Sequence, residues 1–399
     1  MKQFKLTLAA VVFLVSTTCI LAGISSATAK EDPKISGKPR ADVIPGADQI
    51  GKYLPYLKGK KVAMLINGSS RIGNQTSLDS LVKVGVNVVK IFAPEHGFRD
   101  YAQGTIVDKI DPQTGIPIVS VYGAKRKPTA EDLKGVDVVI YDLQDVGVRF
   151  YTYISTLHYA MEACAENNVE LMIFDRPNPN AYYIDGPVMV EEKLKSFISM
   201  HPIPVLHGMT VGEYAQMING QGWLANKVKA KLNIVKVANY THDTPYAPPV
   251  RPSPALFTQQ SILLYPSLCL FEGTSVSQGR SSDYSFEALG SAELKGKYDF
   301  SFTSTRNPGV QLYGINLKNY DTSIFRKTGK MNIAWVLELY NAYPDKEKFF
   351  RGTGINTRLG SSAFIDQIKS GKTEAEIRAS WEPGLSEYKQ MRKKYLLYK

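Results

Sequence analysis

The sequence predicts an α/β protein: a Rossmann-like, mainly parallel sheet domain followed by a smaller C-terminal α+β domain. Three observations carry that expectation. Short apolar runs recur without polar alternation, segments of helical period separate them, and each run ends in a polar turn. Strands buried on both faces show continuous hydrophobicity, and helices between such strands imply parallel crossovers.

Taken in order, KKVAMLI (60–66) is the first strand, and QTSLDSLVKVG is a helix with Thr76 or Ser77 as its N-cap and Gly85 behind its end. NVVKIF (87–92) and VDVVIYD (136–142) are the next strands, followed by the helical RFYTYISTLHYAMEACAENN and the strands ELMIFD (170–175) and LNIVKV (232–237). The proline-rich HDTPYAPPVRPSPAL (242–256) is a long ordered loop or a domain junction. Beyond YPSLCLFEGTSVSQGR, LYGINL is a further strand, MNIAWVLELYNAYP a helix, and residues near 373–394 an amphipathic helix whose Arg392-Lys393-Lys394 end is solvated. The expected division is a linker at 30–45, a catalytic domain at 46–285 and a C-terminal domain at 286–399.

The first 29 residues have the form of a secretory signal peptide: Lys2 and Lys5, an apolar run from Leu6 to Ile24, and the small-residue end Ala27-Thr28-Ala29. Ser16-Thr17-Thr18 before Cys19 is a poor lipoprotein signal, so lipidation is not expected. The expected location is periplasmic or extracellular, with no membrane span after cleavage. Removing Lys2 and Lys5 takes the formal charge from +11 to +9, an excess that suits an acidic substrate or surface. Nucleic acid is not an expected partner, because the basic residues are dispersed and carry no aromatic-basic motif. Cys164 and Cys269 sit in apolar surroundings and read as buried free thiols. No CxxC, HExxH or other close ligand spacing occurs, so no metal site is expected. No cofactor is expected either: Gly68-Ser69-Ser70-Arg71-Ile72-Gly73 lacks the middle glycine of a dinucleotide turn, and there is no GxxxxGK[ST] loop.

The turns behind the strands are chemically richer than a loop requires. Asn67-Gly68-Ser69, Pro94-Glu95-His96-Gly97, Asp142-Leu143-Gln144-Asp145 and Asp175-Arg176-Pro177-Asn178 all fall on one edge of a parallel sheet, where ligands of open α/β sheets bind. Carboxylates in a cleft without metal or nucleotide signatures point to glycoside hydrolysis, in which one acid protonates the leaving oxygen and a second carboxylate commonly assists. Glu95 is the expected acid, its alternative use being to cap the turn or pair with Arg99. Either Asp142 or Asp145 supplies the second group, the other holding the loop through backbone N–H bonds. His96 orients Glu95 or touches a sugar hydroxyl, or is structural, and His207 has the same two uses. Arg149, Arg176 and Arg280 are candidates for reading an acidic substrate through a planar fork, with pairing to Asp142 or Asp175 the alternative for Arg176. Glu272 and Arg280 reach the cleft if their segment folds back over the strand ends.

FAPEHGFRD, YDLQDVGVRFYTYISTL, DRPNPN with DGP, PVLHGMTVGE, YPSLCLFEGTSVSQGR and IRASWEPGLSEYKQMRKKYLLY resemble, in order and over nearly the whole mature chain, the NamZ-like exo-β-N-acetylmuramidases of glycoside hydrolase family 171. The resemblance implies the same two-domain fold and removal of terminal β-linked N-acetylmuramic acid from peptidoglycan fragments, whose lactyl carboxylate matches the expected acidic group. It implies Glu95 as catalytic acid, places Asp142, Asp145 and Arg149 in the cleft, and makes Arg176, Asn178, His207, Glu272 and Arg280 sugar-binding or supporting residues. The chain departs from the family pattern at Arg99-Asp100-Tyr101-Ala102-Gln103-Gly104-Thr105, where an Asp-Ala-Gly-Glu element is usual, and in the shorter Arg251–Leu256 segment. The alternative function is therefore a catalytically impaired paralogue that binds peptidoglycan fragments or another acidic saccharide.

Overall fold

The computed structural model describes residues 43–99 and 107–398. The leader with Cys19, most of the linker, and Asp100–Thr105 lie outside the described residues.

Among the described residues twelve strands form: β1 (Lys61–Ile66), β2 (Arg71–Ile72), β3 (Gln75–Thr76), β4 (Asn87–Ala93), β5 (Lys109–Ile110), β6 (Pro117–Ser120), β7 (Val138–Asp142), β8 (Glu170–Phe174), β9 (Lys231–Val235), β10 (Ala288–Ser291), β11 (Phe300–Thr303) and β12 (Gln311–Asn316). Seven build the main sheet in the order β5-β6-β4-β1-β7-β8-β9. All neighbours are parallel except β5, which runs antiparallel to β6 at the edge. From β1 the chain winds outward first through β4 and β6, then restarts at β7 on the other side, so the strand order reverses between β1 and β7. This is the Rossmann-like order, with its switch point at the paired ends Ile66 and Asp142.

The continuous apolar runs serve two cores. Along β1, Val62, Met64 and Ile66 pack into one and Ala63 and Leu65 into the other; along β7, Val138 and Ile140 divide from Val139 and Tyr141 in the same way. Helix Ser77–Lys83 starts where Thr76 accepts from the Asp79 N–H, and helix Tyr153–Glu166 covers the second core. β5 and β6 were not signalled as strands: they are short, and Pro117 opens β6.

The C-terminal domain has its own antiparallel sheet, β10-β12-β11, surrounded by short helices. The second core runs on into it without a break, through Leu289, Trp335, Leu339, Ile355, Leu359 and Tyr388. The helix expected near 373–394 is two helices, Glu374–Ala379 and Glu382–Arg392. Pro383 explains the break, since it lacks an N–H and its ring opposes the carbonyl four residues earlier; it is tolerated only in the first turn of the second helix. Cys164 and Cys269 are buried and free. Among the described residues no helix is long and apolar enough to cross a membrane.

The chain's last turn is tied to the end of β8. The Asp175 carboxylate accepts from the Tyr398 hydroxyl (2.6 Å), the Thr210 hydroxyl (2.7 Å) and the Gly212 N–H (2.9 Å). Glu213, fully buried one turn into helix Val211–Gln221, accepts from the N–H groups of Leu397 (2.8 Å) and Tyr398 (3.2 Å) and contacts His242 at 2.9 Å. Burial raises the Asp175 pKa to about 6 against the lowering effect of the Tyr398, Gly212 and Thr210 donors. Tyr398→Phe is expected to cost about 2 kcal/mol in urea unfolding, the scale of a lost buried bond to a carboxylate, with little change of secondary structure by circular dichroism.

Candidate active site

The crevice at the switch point is filled by the protein's own side chains. Asp142, at the end of β7, accepts at Oδ1 from Arg176 Nε at 2.6 Å, and Arg176 Nη2 donates to the Arg71 carbonyl at 2.8 Å. Asn67 donates to the Tyr153 hydroxyl (2.6 Å), which donates to the Pro252 carbonyl (3.0 Å). Gln144 Nε2 donates to the carbonyls of Asp145 and Pro177, both at 2.8 Å. All of these side chains are buried. The DLQDVG turn owes its shape to Gly147, at φ +78°, where a Cβ would collide with the Asn178 amide at 2.2 Å.

Glu95 stands apart from this plug. It follows β4 in a turn that places His96 at φ +73° and Arg99 at φ +64°, a conformation L-residues hold only when their surroundings enforce it. Arg99 supplies the enforcement: its guanidinium grips both oxygens of Asp79 (2.7 and 2.9 Å) and both of Asp111 (2.7 and 2.9 Å). Its carboxylate partners are thus Asp79 and Asp111, and Glu95 is left for other work. Glu95 Oε2 accepts from the Thr152 hydroxyl at 2.6 Å, and its Oε1 lies 3.9 Å from His96 Nε2. Burial first, then the neighbouring Glu95 carboxylate, push the Tyr122 hydroxyl up to about 12.

Glu95, His96 and Thr152 line a cavity of about 120 Å³ whose walls include Tyr151, Tyr153, Tyr265 and Phe286, and which Glu272, Arg280 and Arg358 also line. Glu272 arrives on the tight turn Cys269–Gly273 that ends helix Gln259–Leu268. A Cβ on Gly273 would meet the Ile355 N–H nitrogen at 2.2 Å, so only glycine allows helix Gly354–Leu359 to approach so closely. That approach brings Arg358 Nη2 onto Glu272 Oε2. Glu272 Oε1 accepts from Arg280 Nη1 at 2.7 Å and Gln278 Nε2 at 3.1 Å.

Of the residues singled out from sequence, Glu95, His96, Glu272 and Arg280 meet at this cavity. Asp142, Asp145, Arg149, Arg176, Asn178 and His207 do not line it. Asp142 and Arg176 are spent on each other. Asn178 donates to the Met209 carbonyl (2.9 Å) and accepts from the Asn180 N–H (2.8 Å). Arg149 is 1 % exposed and donates to the carbonyls of Pro187 and Arg358 (2.9 and 2.8 Å) and to that of Ile203; burial brings its pKa down to about 9. Asp145 Oδ2 accepts from the Gly147 N–H at 2.6 Å and lies 3.8 Å from His207 Nε2. Burial pushes Asp145 up to about 7 and His207 down to about 3, so both are held towards their neutral forms. Thr152, Tyr122 and Arg358 were not anticipated; Thr152 directly succeeds Arg149-Phe150-Tyr151, but nothing local marks it as a partner of Glu95. Among the described residues no group of three or more His, Cys, Asp or Glu stands together as a metal-binding set.

Two family models cover the chain: Exo-beta-N-acetylmuramidase NamZ, N-terminal, over residues 62–260, and its C-terminal counterpart over residues 263–398. The chain belongs to the NamZ exo-β-N-acetylmuramidase family. It is 34 % identical to the peptidoglycan β-N-acetylmuramidase NamZ of Bacillus subtilis (strain 168), over 94 % of this chain and 96 % of that one. Two crystal structures of DUF1343 family proteins from Bacteroides fragilis NCTC 9343 are similar throughout. One has a TM-score of 0.82 at 39 % identity, covering 90 % of this chain and 99 % of that chain; the other has a TM-score of 0.79 at 27 % identity, covering 90 % and 100 %. The NamZ-family chain is thus a glycosidase-family member with the Rossmann-like sheet and the smaller C-terminal domain expected of it.

Two stability measurements probe the plug. Asp142→Ala leaves the Arg176 guanidinium buried without its carboxylate and should cost about 3–5 kcal/mol in urea unfolding. For Asp145, the folded pKa near 7 stands above the ordinary 3.8, so its protonated form stabilises the fold at low pH and that contribution is lost as pH rises from about 4 to about 7. Asp145→Asn should remove this loss: across that window the stability difference between wild type and variant shifts steadily in favour of the variant, read from urea midpoints.

Proposed function

We propose that this chain is a secreted exo-β-N-acetylmuramidase that removes terminal β-linked N-acetylmuramic acid from peptidoglycan fragments, with Glu95 as general acid. Family membership and the named activity of the Bacillus subtilis relative support the substrate class. The observation that carries the reading is the placement of Glu95: one carboxyl oxygen held by Thr152, in a cavity with aromatic walls. The Thr152 bond orients the carboxyl group and leaves Oε1 to carry the proton. As the glycosidic C–O bond breaks, that proton passes to the leaving oxygen, and a water molecule adds to the anomeric carbon and releases one proton, which restores the acid form of Glu95 by way of solvent. Tyrosine rings suit the apolar faces of a sugar while their hydroxyls take its polar edge. Secretion rests on the leader-like first 29 residues and accords with a cell-wall substrate.

The test is release of a chromogenic aglycone from a β-N-acetylmuramic acid glycoside by the mature chain. Glu95→Gln should lower kcat by about 10²- to 10⁴-fold, the usual worth of a positioned general acid, while saccharide binding persists. Binding without release by the wild type would leave a saccharide-binding protein in place of an enzyme. Equal release by the variant would remove Glu95 from the mechanism.

A further inference from the structure

We propose that Arg280 is the specificity-determining residue that reads the substrate's carboxylate, that Glu272 and Arg358 hold it in place, and that the buried Arg149 is a positioning residue acting through Arg358. This deepens the muramidase reading and rests on it.

Three arginines form a chain from the interior to the cavity. Arg149 is 1 % exposed and donates through Nη2 to the backbone carbonyl of Arg358 at 2.8 Å. The Arg358 side chain, 16 % exposed, turns its guanidinium the other way, onto the Gly354 carbonyl (3.1 Å) and Glu272 Oε2. Glu272, 14 % exposed, receives Arg280 Nη1 on its other oxygen, and the Arg280 side chain is 41 % exposed at the cavity wall. Each member therefore fixes the next, and solvent access rises from one arginine to the next.

The charges do not balance within the cluster. Glu272 presents one negative charge to two guanidinium groups, and both of its oxygens are occupied. One positive charge is left over, on the lining of the cavity that also holds Glu95. Arginine has five N–H donors in a planar fork, and side-chain bonding within the described residues engages only Nη1 of Arg280. The remaining donors suit two parallel hydrogen bonds to a carboxylate, a geometry lysine does not offer. Tyr122 feels the charges of both Glu95 and Arg280, and both of those side chains line the same cavity. A lactyl carboxylate on the sugar whose glycosidic bond is broken would thus be held beside the reacting centre. Arg126 is the other cation near Tyr122, but it stacks 4.6 Å over the Phe197 ring and donates to the Gly123 carbonyl, and it is not among the residues lining the cavity.

The experiment measures calorimetric binding of N-acetylmuramic acid and of its methyl ester, in which a neutral ester replaces the carboxylate, to wild type, Arg280→Met, Arg358→Lys, Arg149→Lys and Arg126→Met. Wild type should prefer the acid by about 10- to 100-fold, the worth of a charge-assisted pair of bonds. Arg280→Met should abolish the preference while ester affinity stays within about twofold, a readout that needs no turnover. Arg358→Lys keeps the charge but loses the fork on Glu272 and should weaken the preference. Arg149→Lys, if it folds, should do the same and raise KM for the acidic glycoside more than it lowers kcat. Failure of wild type to bind either sugar would count against the proposed function itself. Binding without acid preference, a preference that survives Arg280→Met, or one abolished by Arg126→Met would overturn this inference alone.

Discussion

The buried pair between Asp142 and Arg176 is the constraint around which the rest of the molecule is arranged. It closes the switch point of the sheet, the place where an open α/β fold normally leaves a crevice for its ligand. Two charges removed from water hold each other there, Asp142 Oδ1 taking the guanidinium and Arg176 being bound additionally by the Arg71 carbonyl. With Asn67, Tyr153 and Gln144 filling the same edge, the open space moves sideways to the end of β4, where Glu95 sits on a strained turn.

That displacement explains why the C-terminal domain is needed. The end of β4 offers one wall; another is built by Glu272 and Arg280, which precede the boundary expected at 286, with Arg358 of the C-terminal domain, joined by the close contact of Gly273 with helix Gly354–Leu359. The apolar core that continues from the sheet into this domain, and the bonds from Tyr398 and Leu397 to Asp175 and Glu213, tie the domain to the sheet. A shift of the C-terminal domain would open the cavity and loosen the arginine chain together.

Much of this architecture is legible in the residues alone. The seven main-sheet strands differ in how visible they are: β1, β4, β7, β8 and β9 are continuous apolar runs, whereas β5 and β6 borrow their definition from β4 and carry too few residues for a pattern of their own. Glu95 is legible because a charged residue behind Pro94 at a strand end has few structural uses. Arg149 and Arg176 look like ligand-binding forks, yet both turn inward. An arginine side chain reaches far enough to satisfy either a substrate or a buried carbonyl, and the choice depends on what the fold packs beside it. Arg358 has no signal at all, since its partner Glu272 is 86 residues away in the chain.

What the amino-acid order determined by itself is local: where strands and helices begin and end, which turns need glycine, which polar groups stand at strand ends, and the family to which the long motifs point. These features arise from backbone sterics and from hydrophobic periods of a few residues. Tertiary structure alone decided which of those polar groups face open space. Asp142 closes β7 and Glu95 lies two residues beyond β4, both at the same edge of the sheet, and the arrival of Arg176 against one and Thr152 against the other separates a buried ion pair from a cavity acid.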